Sequence, residues 1–195
     1  GDAKKESIDT ILSAVQAKEE GLIEQLFVIG CLSERYADEL REEIPEVDKY
    51  FGVNDWADIV AALGGEHSKE LETERVLTTP SHYAYLKIAE GCNWHCGYCA
   101  IPLIRGKHIS VPMEQILDEA QKLAERGVKE LIVIAQDTTY YGIDLYGSYQ
   151  LHTLLRRLAT ETDVTWLRIL YCYPDKITDE LIREFNENPK LVKYI

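Results

Sequence analysis

The densest chemistry in the sequence is the run Gly91-Cys92-Asn93-Trp94-His95-Cys96-Gly97-Tyr98-Cys99, which holds three of the chain's five cysteines at C-x3-C-x2-C spacing. Three thiolates this close together can wrap one face of a cubane iron–sulfur cluster and leave one iron without a protein ligand. An open iron binds a substrate or cofactor directly, and a chelating amino acid suits it through its amino and carboxylate groups. Structural zinc competes for the same thiols, but it takes four ligands, usually from two separated pairs. His95 is a possible fourth ligand inside the same short loop, and no second C-x2-C pair exists. A disulfide would leave an odd thiol and needs an oxidising compartment.

The elements that must position these thiols read as strands alternating with helices. Tyr85–Ala89 is predicted as a strand, Met113–Arg126 as a helix with Pro112 at its first turn and Gly127 after its end, and Glu130–Ala135 as a strand. A helix over Tyr149–Thr160, a strand over Thr165–Leu170, a helix over Asp179–Asn186 and the start of a strand at Leu191–Ile195 follow. This alternation implies βαβ units and a parallel sheet, with the cysteine loop at the carboxyl end of its first strand, where active sites of such sheets form. Gln136 and Asp137 end the second strand at that same end, where they can meet a cofactor or cap the next turn. Arg168 lies within the third strand, with a cofactor carboxylate or a structural ion pair as its partner. Tyr140, Tyr141, Tyr146 and Tyr149 crowd the loop after the second strand.

Upstream, residues 7–20 show helical periodicity with Ser7 as cap. Gln25–Ile29 reads as a buried strand, Ala37–Glu43 as a helix stopped by Pro45, Val47–Val53 as a short strand and Trp56–Leu63 as a helix. The first helix has no strand before it, so the chain is expected to begin inside a domain. Residues 1–64 form one α/β region, residues 65–82 a polar linker containing the charged run Glu66–Arg75, and residues 83–195 the second α/β region.

Composition fits a soluble globular protein, with 46% apolar and 28% charged residues. No apolar stretch approaches the roughly 20 residues of a membrane span. No signal peptide is visible, so a cytoplasmic location without membrane association is expected. Net charge is −13, and residues 1–80 carry −11 of it, from 8 Lys/Arg against 19 Asp/Glu. Such a segment repels a phosphate backbone and attracts a basic partner.

The string Tyr85-Leu86-Lys87-Ile88-Ala89-Glu90-Gly91-Cys92-Asn93, with Tyr98 as the aromatic before Cys99, Ile101-Pro102 and Arg105-Gly106, resembles the methylthiotransferases among radical S-adenosylmethionine enzymes. Ala135-Gln136-Asp137-Thr138-Thr139 and Tyr171-Cys172-Tyr173-Pro174 resemble the branch that modifies an aspartate of the small-subunit ribosomal protein S-twelve. The transfer-RNA branch tends to carry Gly-Gln-Asn where this chain has Ala135-Gln136-Asp137. Gly30-Cys31-Leu32-Ser33-Glu34-Arg35-Tyr36 and Glu43-Ile44-Pro45-Glu46-Val47-Asp48 resemble the second half of that family's N-terminal domain.

The resemblance implies an α/β fold in which part of an N-terminal methylthiotransferase domain precedes the first half of a radical-SAM partial barrel. It implies a [4Fe–4S] cluster on Cys92, Cys96 and Cys99 that binds S-adenosylmethionine at its open iron and passes it an electron from an external donor. The resulting 5′-deoxyadenosyl radical abstracts hydrogen from an unactivated carbon, and sulfur is inserted there and methylated. Tyr98, Gln136, Asp137 and Arg168 are the expected cofactor contacts. An auxiliary [4Fe–4S] cluster would use Cys31 as its third cysteine ligand, with the first two before Gly1, so a fragment inactive in full turnover is expected. The expected partner is a basic ribosomal protein, with nucleic acid not expected as direct substrate. The alternatives are a transfer-RNA methylthiotransferase and a non-catalytic metal-binding interaction module.

Overall fold

A computed structural model of the chain describes residues 1–66 and 76–195. Segment 67–75, which holds most of the charged run assigned to the linker, lies outside the described residues. The chain divides into two compact units, Gly1–Ser68 and Lys69–Ile195.

In the first unit, helix α1 (Asp2–Glu19) precedes strand β1 (Phe27–Ile29), helix α2 (Cys31–Glu43), strand β2 (Lys49–Phe51) and helix α3 (Trp56–Ala62). Strands β1 and β2 pair in parallel, Val28 opposite Tyr50. Ile11 and Val15 of α1 and Leu40 of α2 are buried with Ile44, Val47 and Tyr50 in one apolar cluster. Two expectations are corrected here. Ser7 does not cap α1; the helix already runs from Asp2, and Ser7 Oγ donates back to the Ala3 carbonyl at 2.9 Å. Helix α2 starts six residues earlier than Ala37, at Cys31. Its first turn carries no helical apolar period and is held from outside, by Ser33 Oγ donating to the Phe51 carbonyl at 2.5 Å, and Tyr36 (φ −130°, ψ 27°) kinks it away from the rest.

The second unit is built on strands β3 (Tyr83–Lys87), β6 (Glu130–Ile134) and β7 (Trp166–Ile169), ordered β3-β6-β7 and parallel throughout. Leu86 stands opposite Val133, and Val133 opposite Ile169. Side chains alternate across the pleat, so Ala84, Leu86, Leu131, Val133, Leu167 and Ile169 share one fully buried face. Helices α5 (Met113–Glu125), α7 (Leu151–Glu161) and α8 (Asp179–Glu187) bring Ile116, Ala120, Leu154, Leu155, Leu158 and Leu181 to the same core. Burying each leucine contributes about 1.5–3 kcal/mol, which makes this face the rigid base of the unit. The strand expected at Leu191–Ile195 is reduced to one parallel bridge, Leu191 to Leu167. No helix among the described residues is long and apolar enough to cross a membrane.

The chain leaves β3 at Ile88. Ala89–Glu90 (β4) turns off and pairs antiparallel with Ile109–Ser110 (β5), Ala89 opposite Ser110. This two-residue clamp brings together the start and the end of the loop that carries the three cysteines. The one-turn helix α4 (Ile101–Ile104) lies within the loop's return path, and the short helix α6 (Ile143–Tyr146) follows β6.

Candidate metal and cofactor site

Four hydrogen bonds fasten the base of the cysteine loop. Glu90 accepts from Lys87 Nζ at 2.8 Å and from Arg105 at 3.2 Å, tying entry to exit. Cys92 N–H donates to the Gly106 carbonyl at 3.1 Å, and Asn93 Oδ1 accepts from the His108 amide at 3.0 Å. Gly91 has φ +71°, and a Cβ there would overlap the Lys107 carbonyl, so only glycine allows the two ends this close. Burial raises the Glu90 carboxyl, but hydrogen bonds from Lys87 and Gly91 and the Arg105 charge outweigh it and hold it below the usual carboxylate range.

Behind the loop lies a polar network that sequence reading missed. Asp144 accepts from Ser110 N at 2.7 Å and from Ser110 Oγ at 2.6 Å. Ser110 Oγ thereby commits its one hydrogen, yet it also lies 3.0 Å from the Gly142 amide and 3.1 Å from His108 Nε2. Both must donate to it, so the neutral imidazole carries its hydrogen on Nε2. Burial drives the His108 pKa below its ordinary value, against the pull of Asp144 and Asp137. Nδ1 is then a buried acceptor with no partner among the described residues. No spacing rule joins residues 108, 110 and 144, which only the fold brings together.

Cys92, Cys96 and Cys99 line one open groove of about 590 Å³ together with Asn93, Pro102 and Lys107. Cys96 is exposed, and Cys92 and Cys99 are half-buried. Burial pushes the Cys92 thiol up, with Asp137, Cys99 and Cys96 adding to the rise and the Trp94 amide opposing it. Among the described residues, no three His, Cys, Asp or Glu side chains converge at the spacing of a single bound ion. A cubane spreads its ligands over three irons and so asks for thiols on one wall rather than around one point. His95 lines the same groove.

The other sequence candidates separate. Gln136 is exposed just past β6, and Tyr98 is 95% exposed beside Cys99. Asp137 is 3% exposed and faces Trp94 of the cysteine loop. Arg168 Nε donates to Glu130 at 2.6 Å. Glu130 opens β6 at the end opposite the cysteines, so the structural ion pair, one of the two readings of Arg168, is present. Cys31 is exposed at the first position of α2, in the other unit. Of the tyrosines, Tyr141 is fully buried and donates to the Val111 carbonyl, and Tyr146 accepts from the Met113 amide. Tyr140 packs edge-on against Trp94, His108 and Tyr149. Cys172 is half-buried beside Thr138 Oγ1 at 3.4 Å.

Residues 86–194 match the model of the Radical SAM superfamily. The ribosomal protein uS12 methylthiotransferase RimO of Phocaeicola vulgatus is 53% identical over 195 residues, all of this chain and 45% of that protein. RimO of Porphyromonas gingivalis is 49% identical over the same span, again 45% of its length. The chain therefore spans just under half of the curated relatives it matches. The radical S-adenosylmethionine methyltransferase TsrM of Kitasatospora setae superposes on 60% of this chain and 24% of its own at a TM-score of 0.44 and 15% identity, too distant a likeness to argue from. Since the superfamily match takes in more than half of the sequence, including the whole cysteine loop and strands β6 and β7, the chain belongs to the Radical SAM superfamily.

Proposed function

We propose that Cys92, Cys96 and Cys99 hold a [4Fe–4S] cluster that binds S-adenosylmethionine, in a methylthiotransferase acting on an aspartate of ribosomal protein uS12. The observation that carries this reading is the three thiols on one groove wall at the carboxyl end of the sheet, within the segment that matches the superfamily. The donor set fits the cluster: three thiolates on a clamped loop, with Lys107 as a cation beside them and Pro102 as an apolar wall. When bound, the cluster supplies one electron for cleavage of S-adenosylmethionine.

The chain's own residues hold and orient. Glu90, Gly91 and Asn93 fix where the loop begins, and Arg105, Gly106 and His108 fix where it ends. Tyr98 and Gln136, both exposed at this end of the sheet, contact the cofactor. Cys31 contributes one ligand to an auxiliary [4Fe–4S] cluster. The substrate assignment rests on the identity to RimO relatives over the full sequence and on the −11 charge of residues 1–80, which favours a basic protein over a polyanion. Such a protein works in the cytoplasm with an external one-electron donor. Residues 1–64 and 83–195 are proposed as its N-terminal methylthiotransferase and radical-SAM parts.

The test is anaerobic reconstitution with iron and sulfide, followed by iron and sulfide analysis. The wild-type chain should take up a cluster, and replacing Cys92, Cys96 and Cys99 together by Ala should abolish it. A triple variant that keeps its iron and sulfide sinks the assignment. Mass spectrometry of uS12 and of bulk transfer RNA, after incubation with the whole protein, tests the substrate. Sulfur plus methyl on transfer RNA alone would overturn it.

A further inference from the structure

The segments after β6 and β7 close a ring of contacts on the cysteine loop. Asp137 Oδ1 accepts from the Thr139 amide at 3.0 Å and from Thr139 Oγ1 at 2.5 Å. Its Oδ2 accepts from Trp94 Nε1–H at 2.7 Å. Thr139 Oγ1, its hydrogen given to Asp137, accepts from the Tyr173 amide at 3.3 Å. The Tyr173 ring stacks on the Trp94 indole, centroids 4.5 Å apart and planes 20° from parallel. The circuit Asp137–Trp94–Tyr173–Thr139 thus joins the ends of two strands to a residue that lies between Cys92 and Cys96. Trp94 is tied to the thiols as well, since its amide donates to Cys92 Sγ at 3.4 Å.

We propose that Asp137 is a positioning residue that fixes the conformation of the cysteine loop through Trp94, rather than a ligand of the cofactor. The loop's cluster role rests on the reading above. A plain turn cap uses only Oδ1, and Oδ1 does cap the 3-10 turn Thr138–Tyr140. The bond from Oδ2 crosses 43 residues of sequence to the loop, and a cap has no use for it. With the residue 3% exposed and both oxygens engaged, Asp137 has no surface left for a ligand. The bond is charge-assisted and partly buried, and such bonds are among the stronger ones. The Tyr173 stack fixes the plane of the indole, and the carboxylate fixes its rotation within that plane. Together they leave the backbone between Cys92 and Cys96 little freedom.

The experiment compares Asp137→Asn, Trp94→Phe and the double variant by amide hydrogen exchange of the loop in the cluster-free chain. Asn keeps an oxygen for the Thr139 cap but turns an amide donor toward the indole N–H. Phe keeps a ring for the Tyr173 stack but has no N–H. Each single variant should speed exchange across the loop amides about tenfold, the equivalent of one charge-assisted hydrogen bond, with the β6 amides Leu131–Val133 unchanged. The double variant should be no faster than the faster single one, because both break the same bond. Unchanged loop exchange, additive effects in the double variant, or equal acceleration in β6 would each overturn the proposal. Iron uptake by the wild-type chain is read separately: its failure strikes the cluster reading, whereas the exchange pattern decides the positioning role.

Discussion

Ser110→Ala removes one oxygen and unseats three partners. Asp144 keeps the residue-110 amide at 2.7 Å but loses the hydroxyl donor at 2.6 Å. The Gly142 amide and His108 Nε2–H, both in buried bonds to that oxygen, are left without an acceptor. A buried unsatisfied donor costs about 1–3 kcal/mol. Two of them give a loss of about 2–6 kcal/mol, since alanine leaves no room for water to replace the lost oxygen at a site 3% exposed. With a mid-range urea slope of about 2 kcal/mol per molar, the unfolding midpoint should fall by roughly 1–3 M. The assay is urea unfolding followed through exchange of the β6 amides Leu131–Val133, which report opening of the second unit alone. Ser148→Ala is the control; among the described residues the Ser148 hydroxyl meets only Gln150, in an exposed bond, and its loss should stay within about 0.5 kcal/mol. A Ser110→Ala midpoint no lower than that of Ser148→Ala would refute the assignment of donors and acceptors around Ser110.

Gly91→Ala should destabilise the loop base by more than about 2 kcal/mol, from the left-handed φ of +71° together with overlap on backbone that cannot move aside. The sign is loss of protection at the Cys92 amide, which bonds to Gly106, and retained wild-type protection there would contradict the packing. His108 predicts a pH effect. Burial holds its folded pKa below the unfolded value of about 6.5, so its contribution is complete above that pH and is lost as pH falls toward the folded value. The chain's denaturant midpoint should drop between neutral and mildly acidic pH, and His108→Gln should flatten that slope. An identical slope in the variant would show that His108 is not buried neutral.

The elements of the second unit were legible because each buries a single face. Strand β6 alternates buried and half-buried residues, and α5 and α7 repeat apolar residues at helical spacing. Boundaries were less legible where tertiary contacts set them. The first turn of α2 is held by the Phe51 carbonyl, a residue 18 positions away from Ser33. The split of the first strand into β3 and β4 follows from pairing with β5, which sequence pattern does not announce.

Of the site, the sequence by itself determined the thiols. Three cysteines at C-x3-C-x2-C spacing are a covalent fact, and their spacing keeps them on one loop in any fold. It also determined that a parallel sheet would carry them, because a period of two alternating with a period of 3.6 allows little else. What the other polar residues do was decided by tertiary structure alone. Asp137 and Arg168 read alike from the sequence, as polar groups on strands of one sheet. The fold turns Asp137 inward to Trp94 and draws Arg168 to Glu130 at the far end of β6. The physical reason is that a charge withdrawn from water, wholly or in part, is matched by whichever partner the packed backbone brings within about 3 Å. That partner lies 43 positions away for one and 38 for the other, beyond the reach of any local pattern.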